Sequence, residues 1–246
     1  MRILKIGGNE LADPNFLPAL AGVIANANEP MAIVHGGGAA IAALQAKLGL
    51  DVKKVDGLRV TDAASLEVAQ MVLSGQANKS IVASLLAAGV DAVGLSGVDG
   101  GLFRCVKKVY KDADLGLVGQ VDMVRTELVE GLAGMGLTAV ISPISIGHDN
   151  QIYNVNGDEA AGALAGALKA DLIDFVSNVP GVLHNNEVIP QLTLAETEKL
   201  INDDVIFGGM VPKVRAALAA VEAGVKKARI VNLAGLSTNG GTIFVR

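Results

Sequence analysis

Two glycine-rich segments near the N-terminus could present backbone N–H groups to an anion. LKIGGN carries Lys5 just before Gly7 and Gly8, and IVHGGG ends with glycines 36–38. Glycines between a strand and a helix let ligand oxygens approach bare N–H groups, and the helix dipole adds an attraction for negative charge. A tight turn without a ligand explains the glycine triplet equally well, so the triplet by itself decides neither.

Three cationic side chains occupy positions where a bound anion would be favourable. Lys5 lies on a strand that otherwise reads as buried, which is costly unless the ammonium has an anionic partner. Lys213 lies at or near the first turn of a predicted helix, where a cation opposes the helix dipole. Arg59 stands between apolar residues, and its guanidinium suits a carboxylate. Solvated surface side chains remain the alternative for all three.

The segment NVNGDEAA places four polar side chains around a predicted helix start. Asn and Asp are favoured as N-caps, which accounts for some of them. Two asparagines and two acids exceed what one cap needs. Asp158 could orient lysines, and Asn154 could bind an amide or carboxylate, so capping and function stay open here.

Composition and missing motifs exclude several classes of protein. A net charge of -5 without basic clusters argues against a nucleic-acid surface. No lysine follows a glycine, so there is no P-loop, and Ile41 stands where the dinucleotide fingerprint needs a small residue. The single cysteine, Cys105, excludes an internal disulfide and is expected on a strand, and the three histidines suggest no metal site. Without a signal peptide or membrane span, we expect a cytoplasmic protein.

The elements that must position these residues alternate between strands and helices. Short apolar runs followed by helical patterns predict a mainly parallel sheet covered on both faces, hence an α/β protein. Two alternating runs, 102–110 and 116–124, are split by the turn-prone segment 111–115 and predict a β-hairpin. Further strands are predicted at 3–6, 31–36, 92–97, 138–144, 172–178, 228–234 and 242–246. Helices are predicted near 14–28, 38–48, 62–74, 77–88, 125–135, 157–170, 194–202 and 209–223.

Taken together, the motifs resemble a known family. LKIGGN, IVHGGG, GLRVTD, DLGLVGQV, NVNGDEAA, SNVPGVL and GGMVPKV occur in this order over residues 4–214. Their order is similar to that in the amino acid kinase superfamily and, within it, in the N-acetylglutamate kinases of arginine biosynthesis. The resemblance implies a three-layer αβα sandwich around a mainly parallel sheet of about eight strands, the carbamate kinase-like fold. One domain, 1–246, would hold an acceptor lobe (about 1–150) and an ATP lobe (about 151–246).

The resemblance also implies roles for residues. It suggests ATP-dependent phosphorylation of the γ-carboxylate of N-acetyl-L-glutamate, with Lys5 and Lys213 stabilising the transferring phosphoryl group and Asp158 holding the two lysines. The acceptor would contact Gly37, Gly38, Arg59 and Asn154. Gly7 and Gly8 would lie against the phosphates. The nucleotide would be bordered by Asn178, Val179, Pro180, Gly181, Val182, Leu183, Val205, Ile206 and Phe207.

A carboxylate acceptor simplifies the chemistry. A glutamate side chain is already ionised at neutral pH, so no general base is needed. Catalysis then consists of aligning two anions and neutralising charge on the phosphoryl oxygens. Mg²⁺ would be held largely by the ATP phosphates, and no metal ligand in the chain is expected.

Departures from the family pattern keep alternatives open. Asn178 stands where acetylglutamate kinases commonly have Asp, and SNVPG resembles kinases of carrier-protein-bound aminoadipate. NVNGD and GLRVT favour acetylglutamate instead. Aspartate or carbamate acceptors and a catalytically silent nucleotide- or amino-acid-binding regulator are further alternatives. Arginine-inhibited hexamers of the family commonly have an N-terminal helix before the first strand. No such helix is predicted before the strand at 3–6, so a homodimer without arginine feedback is expected.

Overall fold

The computed structural model describes residues 1–27, 29–55, 58–111 and 113–246. Two of the predicted elements include positions outside these ranges. Asn28, the expected end of the first helix, and Asp112, in the expected hairpin turn, both lie outside the described residues.

Strands and helices alternate along most of the described chain. The strands are β1 (Arg2–Ile6), β2 (Met31–His35), β3 (Lys54–Val55), β4 (Leu58–Arg59), β5 (Ala92–Ser96), β6 (Phe103–Lys107), β7 (Val118–Val124), β8 (Thr138–Ser142), β9 (Ile144–Gly147), β10 (Ile152–Val155), β11 (Leu172–Val176), β12 (Leu183–His184), β13 (Glu187–Val188), β14 (Gln191–Thr193), β15 (Ala228–Val231) and β16 (Thr242–Val245). The α-helices are α1 (Phe16–Ala25), α2 (Gly38–Lys47), α3 (Ala63–Gln70), α4 (Asn78–Ala87), α5 (Thr126–Gly134), α6 (Gly157–Ala167), α7 (Leu194–Asn202), α8 (Met210–Glu222) and α9 (Leu233–Thr238). None of the described helices is both long and apolar enough to cross a membrane.

The central sheet has eight strands in the order β14-β16-β15-β11-β1-β2-β8-β5. Its pairs are parallel except β15 with β16, which confirms the predicted mainly parallel sheet. The inner strands are apolar runs because both of their faces are covered, and all five residues of β2 are buried. The four strands before residue 150 form one half of this sheet, in the order β1-β2-β8-β5, and the four later strands form the other half, in the order β14-β16-β15-β11. The division into two functional lobes stays a prediction.

Helices cover both faces of the sheet, so the three-layer sandwich is confirmed. Along β1, Ile3 belongs to one apolar cluster, whereas Leu4 and Ile6 belong to the other. Residues of α6 and α8 complete the first cluster, and residues of α1, α4 and α9 complete the second. Each fully buried Leu or Ile contributes about 1.5–3 kcal/mol relative to exposure. The strand's period of two thus divides its side chains between two cores.

The predicted hairpin is present, and it belongs to a larger unit. Strands β6 and β7 pair antiparallel, and with β9 and β10 they close a four-stranded barrel in the order β10-β7-β6-β9. The predicted strand position of Cys105 is confirmed: it is fully buried in β6. The barrel continues through β10 directly into α6, which brings the residues of NVNGDEAA to the main sheet.

The structure differs from the predicted elements in several places, three of which bear on the site. The single strand expected over 138–144 is divided into β8 of the main sheet and β9 of the barrel. The strand expected over 228–234 ends at Val231, because the Asn232 side chain accepts a hydrogen bond from the Gly235 N–H and begins α9. The helices expected at 62–74 and 77–88 are joined without a break, since a π-helical segment, Met71–Ala77, connects α3 to α4. Such π-turns often occur at functional sites.

Candidate active site

The glycine turns and several of the other candidate residues lie at the carboxyl ends of the parallel strands. Strand β1 pairs with β2 on one side and with β11 on the other. The glycine turns therefore follow neighbouring strands β1 and β2, and the segment 177–183 follows β11 on the opposite side of β1. Ligands of open α/β sheets bind at such a point, where neighbouring strands connect in opposite directions.

The two glycine turns touch through their backbones. A Cβ atom on Gly8 would stand 2.5 Å from the Gly38 nitrogen and 2.9 Å from the Gly37 Cα. The Gly36 N–H donates to the Ile6 carbonyl at 2.8 Å, which ties the second turn to the end of β1. Any side chain at position 8 would therefore push the two turns apart.

The N-terminus of α2 offers free donors. Gly37 is the N-cap residue and has no side chain to accept the first helical N–H groups. Within the described part of the chain, neither the Gly37 nor the Gly38 N–H donates to a protein acceptor. These N–H groups, with the dipole of α2 behind them, form an anion-binding turn.

A cavity of about 250 Å³ opens beside these glycines, and its lining includes Lys5, Asp158 and the four residues expected to contact the acceptor. Three cationic side chains and one carboxylate reach it, so its charge is positive. Its polar and glycine lining comprises Lys5, Gly8, Gly36, Gly37, Gly38, Lys54, Arg59, Asn154, Asn156, Gly157 and Asp158.

Lys5 is paired with Asp158 at the floor of this cavity. The Lys5 Nζ lies 2.7 Å from the Asp158 Oδ1, and the lysine is only 8% exposed. The burial excludes a solvated edge lysine. Because the carboxylate compensates one charge while an ammonium has three donors, Nζ keeps donors for a further anion.

The polar residues at the start of α6 have separate tasks. Asn156 is the cap, and its Oδ1 accepts from the N–H groups of Asp158 and Glu159. Glu159 forms an ion pair with Lys108, outside the cavity. Asn154 donates to the Thr61 Oγ1 at 3.4 Å and lines the cavity. Capping thus explains Asn156 and leaves Asn154 and Asp158 facing the site.

Arg59 is held in place without an acidic partner. Its Nη1 donates to the Gln45 Oε1 at 2.5 Å and its Nη2 to the Gly38 carbonyl at 3.2 Å. No carboxylate of the described residues lies within 4.0 Å of it. Burial lowers the pKa of Arg59 below its ordinary value. A half-buried, uncompensated guanidinium beside free N–H groups favours a bound carboxylate.

Lys54 also lines the cavity, although the sequence analysis assigned it no role. It lies on β3 directly opposite Arg59 on β4. The sequence signal was the short segment VKKVDGLR, in which Lys54 and Arg59 stand on either side of a DG pair. Only the pairing of β3 with β4 places both side chains over one cavity.

His35 lies behind the glycine turn and is fully buried. Burial lowers its pKa to about 4, and the positive charge of Lys79 acts in the same direction. The imidazole is therefore neutral at pH 7.

Lys213 and Gly7 do not join this cavity. Lys213 is half-buried in the first turn of α8, and no ion pair within 4.0 Å links it to Asp158. Gly7 is not part of the cavity lining, and a Cβ there would stand 2.1 Å from a carboxylate oxygen of Glu10. Among the described residues, Asp158 pairs with Lys5 and not with Lys213, and the expectation that Asp158 holds both lysines stays a prediction.

The segments expected at the nucleotide follow β11 and precede α8. Gly181 has a φ of +156° and packs against Thr242, whose Oγ1 accepts from the Val182 N–H at 2.8 Å. Val182 and Ile206 share one apolar cluster, which joins the two segments. Phe207 is 70% exposed, an unusual position for a large aromatic side chain. Asn178, Pro180 and Leu183 are exposed, and Val179 and Val205 are half-buried.

The described residues contain no group of three or more His, Cys, Asp or Glu side chains that could hold a metal ion. His148 and His184 are both exposed, and the former pairs with Asp122 at 2.9 Å.

Comparisons with known proteins place these features in a family. The model of the amino acid kinase family matches residues 1–232. A protein of Roseiflexus castenholzii named acetylglutamate kinase is 51% identical over 98% of this chain and 93% of its own length. The crystal structure of smu.665 from Streptococcus mutans superposes with a TM-score of 0.83 at 28% identity, covering 99% and 98% of the two chains. Carbamate kinase from Giardia, at 15% identity, shares the fold with a TM-score of 0.70 over 100% and 98%.

Proposed function

The chain belongs to the amino acid kinase family, and from that premise we propose that it is an ATP-dependent kinase of N-acetyl-L-glutamate in arginine biosynthesis. The product is N-acetylglutamyl 5-phosphate. Relatives that bear the name acetylglutamate kinase support this acceptor, at 51% identity in Roseiflexus castenholzii. The observation that carries the proposal is the positive cavity in which Lys5, Asp158 and Arg59 meet the free N–H groups of α2.

The acceptor end of the cavity suits a small dicarboxylate. Arg59 has no carboxylate partner among the described residues, and we assign it a carboxylate of acetylglutamate. Asn154 presents an amide that can pair with the acetamido group or a carboxylate oxygen. The N–H groups of Gly37 and Gly38 then face the reacting carboxylate and the phosphoryl oxygens.

The reaction is an in-line transfer. A γ-carboxylate oxygen of acetylglutamate attacks the γ-phosphorus of ATP, a new O–P bond forms, and the bond to the β–γ bridging oxygen breaks to release ADP. The carboxylate is ionised at neutral pH, so no proton has to be removed. Lys5 neutralises charge on the transferring group, and Asp158 fixes the position of its ammonium.

The nucleotide is assigned to the β11 side of β1. Gly8 lies between the acceptor cavity and the nucleotide side. We place ATP against Gly7, Gly8, 178–183 and 205–207. The exposed ring of Phe207 is then available to the adenine base. Lys213 is assigned to the phosphates, where an anion would offset its unfavourable position at the start of α8. Mg²⁺, held mainly by phosphate oxygens, would neutralise part of their charge.

A comparison of acceptors tests the proposal. ADP release and trapping of the acyl phosphate by hydroxylamine are measured with acetylglutamate, carrier-bound aminoadipate, aspartate and carbamate. We expect both signals with acetylglutamate and neither in the Lys5→Ala variant. Transfer only to another acceptor would reassign the substrate. ATP binding without transfer to any acceptor would support a silent regulator on this fold.

The homodimer, the absence of arginine feedback and the cytoplasmic location stay predictions. Sedimentation of the full chain would test the first, and kinase activity with and without arginine would test the second.

A further inference from the structure

Buried behind the glycine turn is a polar pair that the reaction as described does not use. His35, the last residue of β2, and Asn78, the first residue of α4, are at most 1% exposed. The His35 Nδ1 lies 3.1 Å from the Gly36 carbonyl oxygen, and its Nε2 lies 3.2 Å from the Asn78 Nδ2. A buried imidazole in an otherwise apolar layer calls for a reason, because burying polar groups is costly.

The contacts decide the tautomer. A carbonyl oxygen can only accept, so the His35 Nδ1 carries the proton and donates to Gly36. Nε2 is then the acceptor for the Asn78 amide. This assignment needs a neutral ring, which agrees with the lowered pKa of His35.

Asn78 is itself held by contacts to β8, to β5 and to the neighbouring Lys79, and its two amide hydrogens are shared among His35 and two backbone carbonyls. Its Nδ2 also lies 2.9 Å from the Val140 carbonyl of β8 and 3.2 Å from the Leu95 carbonyl of β5, and its Oδ1 accepts from Lys79 at 3.0 Å. A Cβ on Gly94 would stand 2.0 Å from that oxygen, so β5 leaves room for it. The amide orientation is thereby determined, and His35 rests on a rigid support.

The pair controls one peptide group of the turn. The Gly36 N–H is bound to Ile6 and the Gly36 carbonyl to His35, so both polar groups of Gly36 are held. In a planar trans peptide, the C=O and the following N–H point in opposite directions. With the Gly36 carbonyl turned toward buried His35, the Gly37 N–H points away from His35, and glycines 36–38 all line the cavity.

We propose that His35, supported by Asn78, is a positioning residue that aims the Gly37 N–H at the reacting carboxylate and the transferring phosphoryl oxygens. The inference rests on the proposed function for the identity of those oxygens, and on the geometry alone for the direction of the N–H. Donors fixed before the reaction are effective because they need no reorganisation as charge develops.

Three substitutions of His35 distinguish the hydrogen bond that it donates to the Gly36 carbonyl from the volume that its ring fills. In His35→Asn the side-chain N–H can take the place of Nδ1–H, in His35→Gln it reaches toward the Nε2 position, and His35→Leu has neither. We expect kcat/KM for acetylglutamate to fall at least ~10-fold in the Leu and Gln variants and to stay within ~3-fold in His35→Asn. The KM for ATP should be unchanged in all three.

Leu85→Ala serves as the matched control. It removes buried volume from α4, about two turns beyond Asn78, and lowers stability without removing a donor from the turn. If it reduces kcat/KM as much as His35→Gln, or if His35→Asn is as impaired as His35→Gln, the positioning role is refuted. The comparison of Asn with Gln holds even if the Leu variant does not fold.

A second readout needs no substrate. In weakly aligned ¹⁵N-labelled protein, the residual dipolar coupling of the Gly37 N–H bond reports the orientation of its peptide group. We expect wild type and His35→Asn to share this coupling and His35→Gln to change it; one value in all variants would overturn the inference. An inactive wild-type protein would refute the proposed function, while this measurement would still decide the role of His35.

Discussion

Acidification should destabilise this protein, and the contribution of His35 to the loss of stability can be calculated. The imidazole is fully buried, and its pKa in the folded state is lowered to about 4 from the ordinary 6.5, mainly by burial and further by nearby Lys79. Between these two values the unfolded chain binds a proton that the folded chain does not. Stability is therefore complete above pH 6.5 and declines as the pH falls toward 4.

The size of the effect follows from the difference between the two pKa values. Each pH unit between the two pKa values corresponds to about 1.4 kcal/mol of unfolding free energy. At pH 4.5, nearly two units below the pKa of the unfolded chain, the protein has therefore lost roughly 2–3 kcal/mol of stability. That is a sizeable part of the 5–15 kcal/mol typical of a folded domain. Carboxylates also titrate in this range, and a matched variant is needed to remove their contribution.

His35→Asn is that variant, because it keeps a neutral donor and cannot titrate. Urea unfolding followed by circular dichroism gives the free energy of unfolding of both proteins at pH 7 and pH 4.5. We expect wild type to lose roughly 2–3 kcal/mol more than His35→Asn between these values. Equal losses would mean that His35 takes up a proton as easily in the folded state, and the buried neutral imidazole would be refuted.

Four further predictions concern the site and the core. Lys5→Ala or Lys213→Ala should lower kcat by at least ~10²-fold, about 2.7 kcal/mol, with circular dichroism unchanged; wild-type turnover would refute the assigned charge neutralisation. Arg59→Lys should raise the KM for acetylglutamate because the bidentate fork is lost, and a change confined to the KM for ATP would contradict the acceptor assignment. Gly8→Ala should abolish most activity, since its methyl group would meet backbone of the second turn at 2.5–2.9 Å; full kcat/KM would contradict the backbone contact. Asp174→Asn should lower the free energy of unfolding by about 3–5 kcal/mol in urea, because two nearly buried arginines at 2.5 and 2.6 Å lose their common charge partner; an unchanged midpoint would show that this partner is dispensable.

Local patterns determined the architecture. Apolar runs such as β2 and β11 have no polar face, so they require helices on both sides, and that condition is readable without coordinates. The two alternating segments on either side of a turn-prone stretch likewise predicted the antiparallel pair β6–β7. Patterns failed at Asn232, where a cap competes with strand propensity over a single residue.

The sequence also identified the chemical groups, and its motifs identified the family. Glycine pairs after strands, a lysine inside an apolar strand and an arginine among apolar neighbours each violate a local preference. Such violations point to function because folding alone does not favour them. They left surface or capping interpretations open for Lys5, Arg59 and Asn154, since a local pattern contains no information about partners.

Only the tertiary structure decided which groups meet. Lys5 and Asp158 are separated by 153 positions, and their ion pair follows from the place of β1 next to β2 and from the route of β10 into α6. Lys54 reaches the cavity because β3 pairs with β4 in a register that places it opposite Arg59. His35 contacts Asn78 at the start of α4, in a helix that the sequence pattern had predicted as two separate helices. Strand order and helix packing depend on contacts between distant segments, which local residue spacing does not specify. The sequence therefore supplied the groups, and the fold set the distances between them.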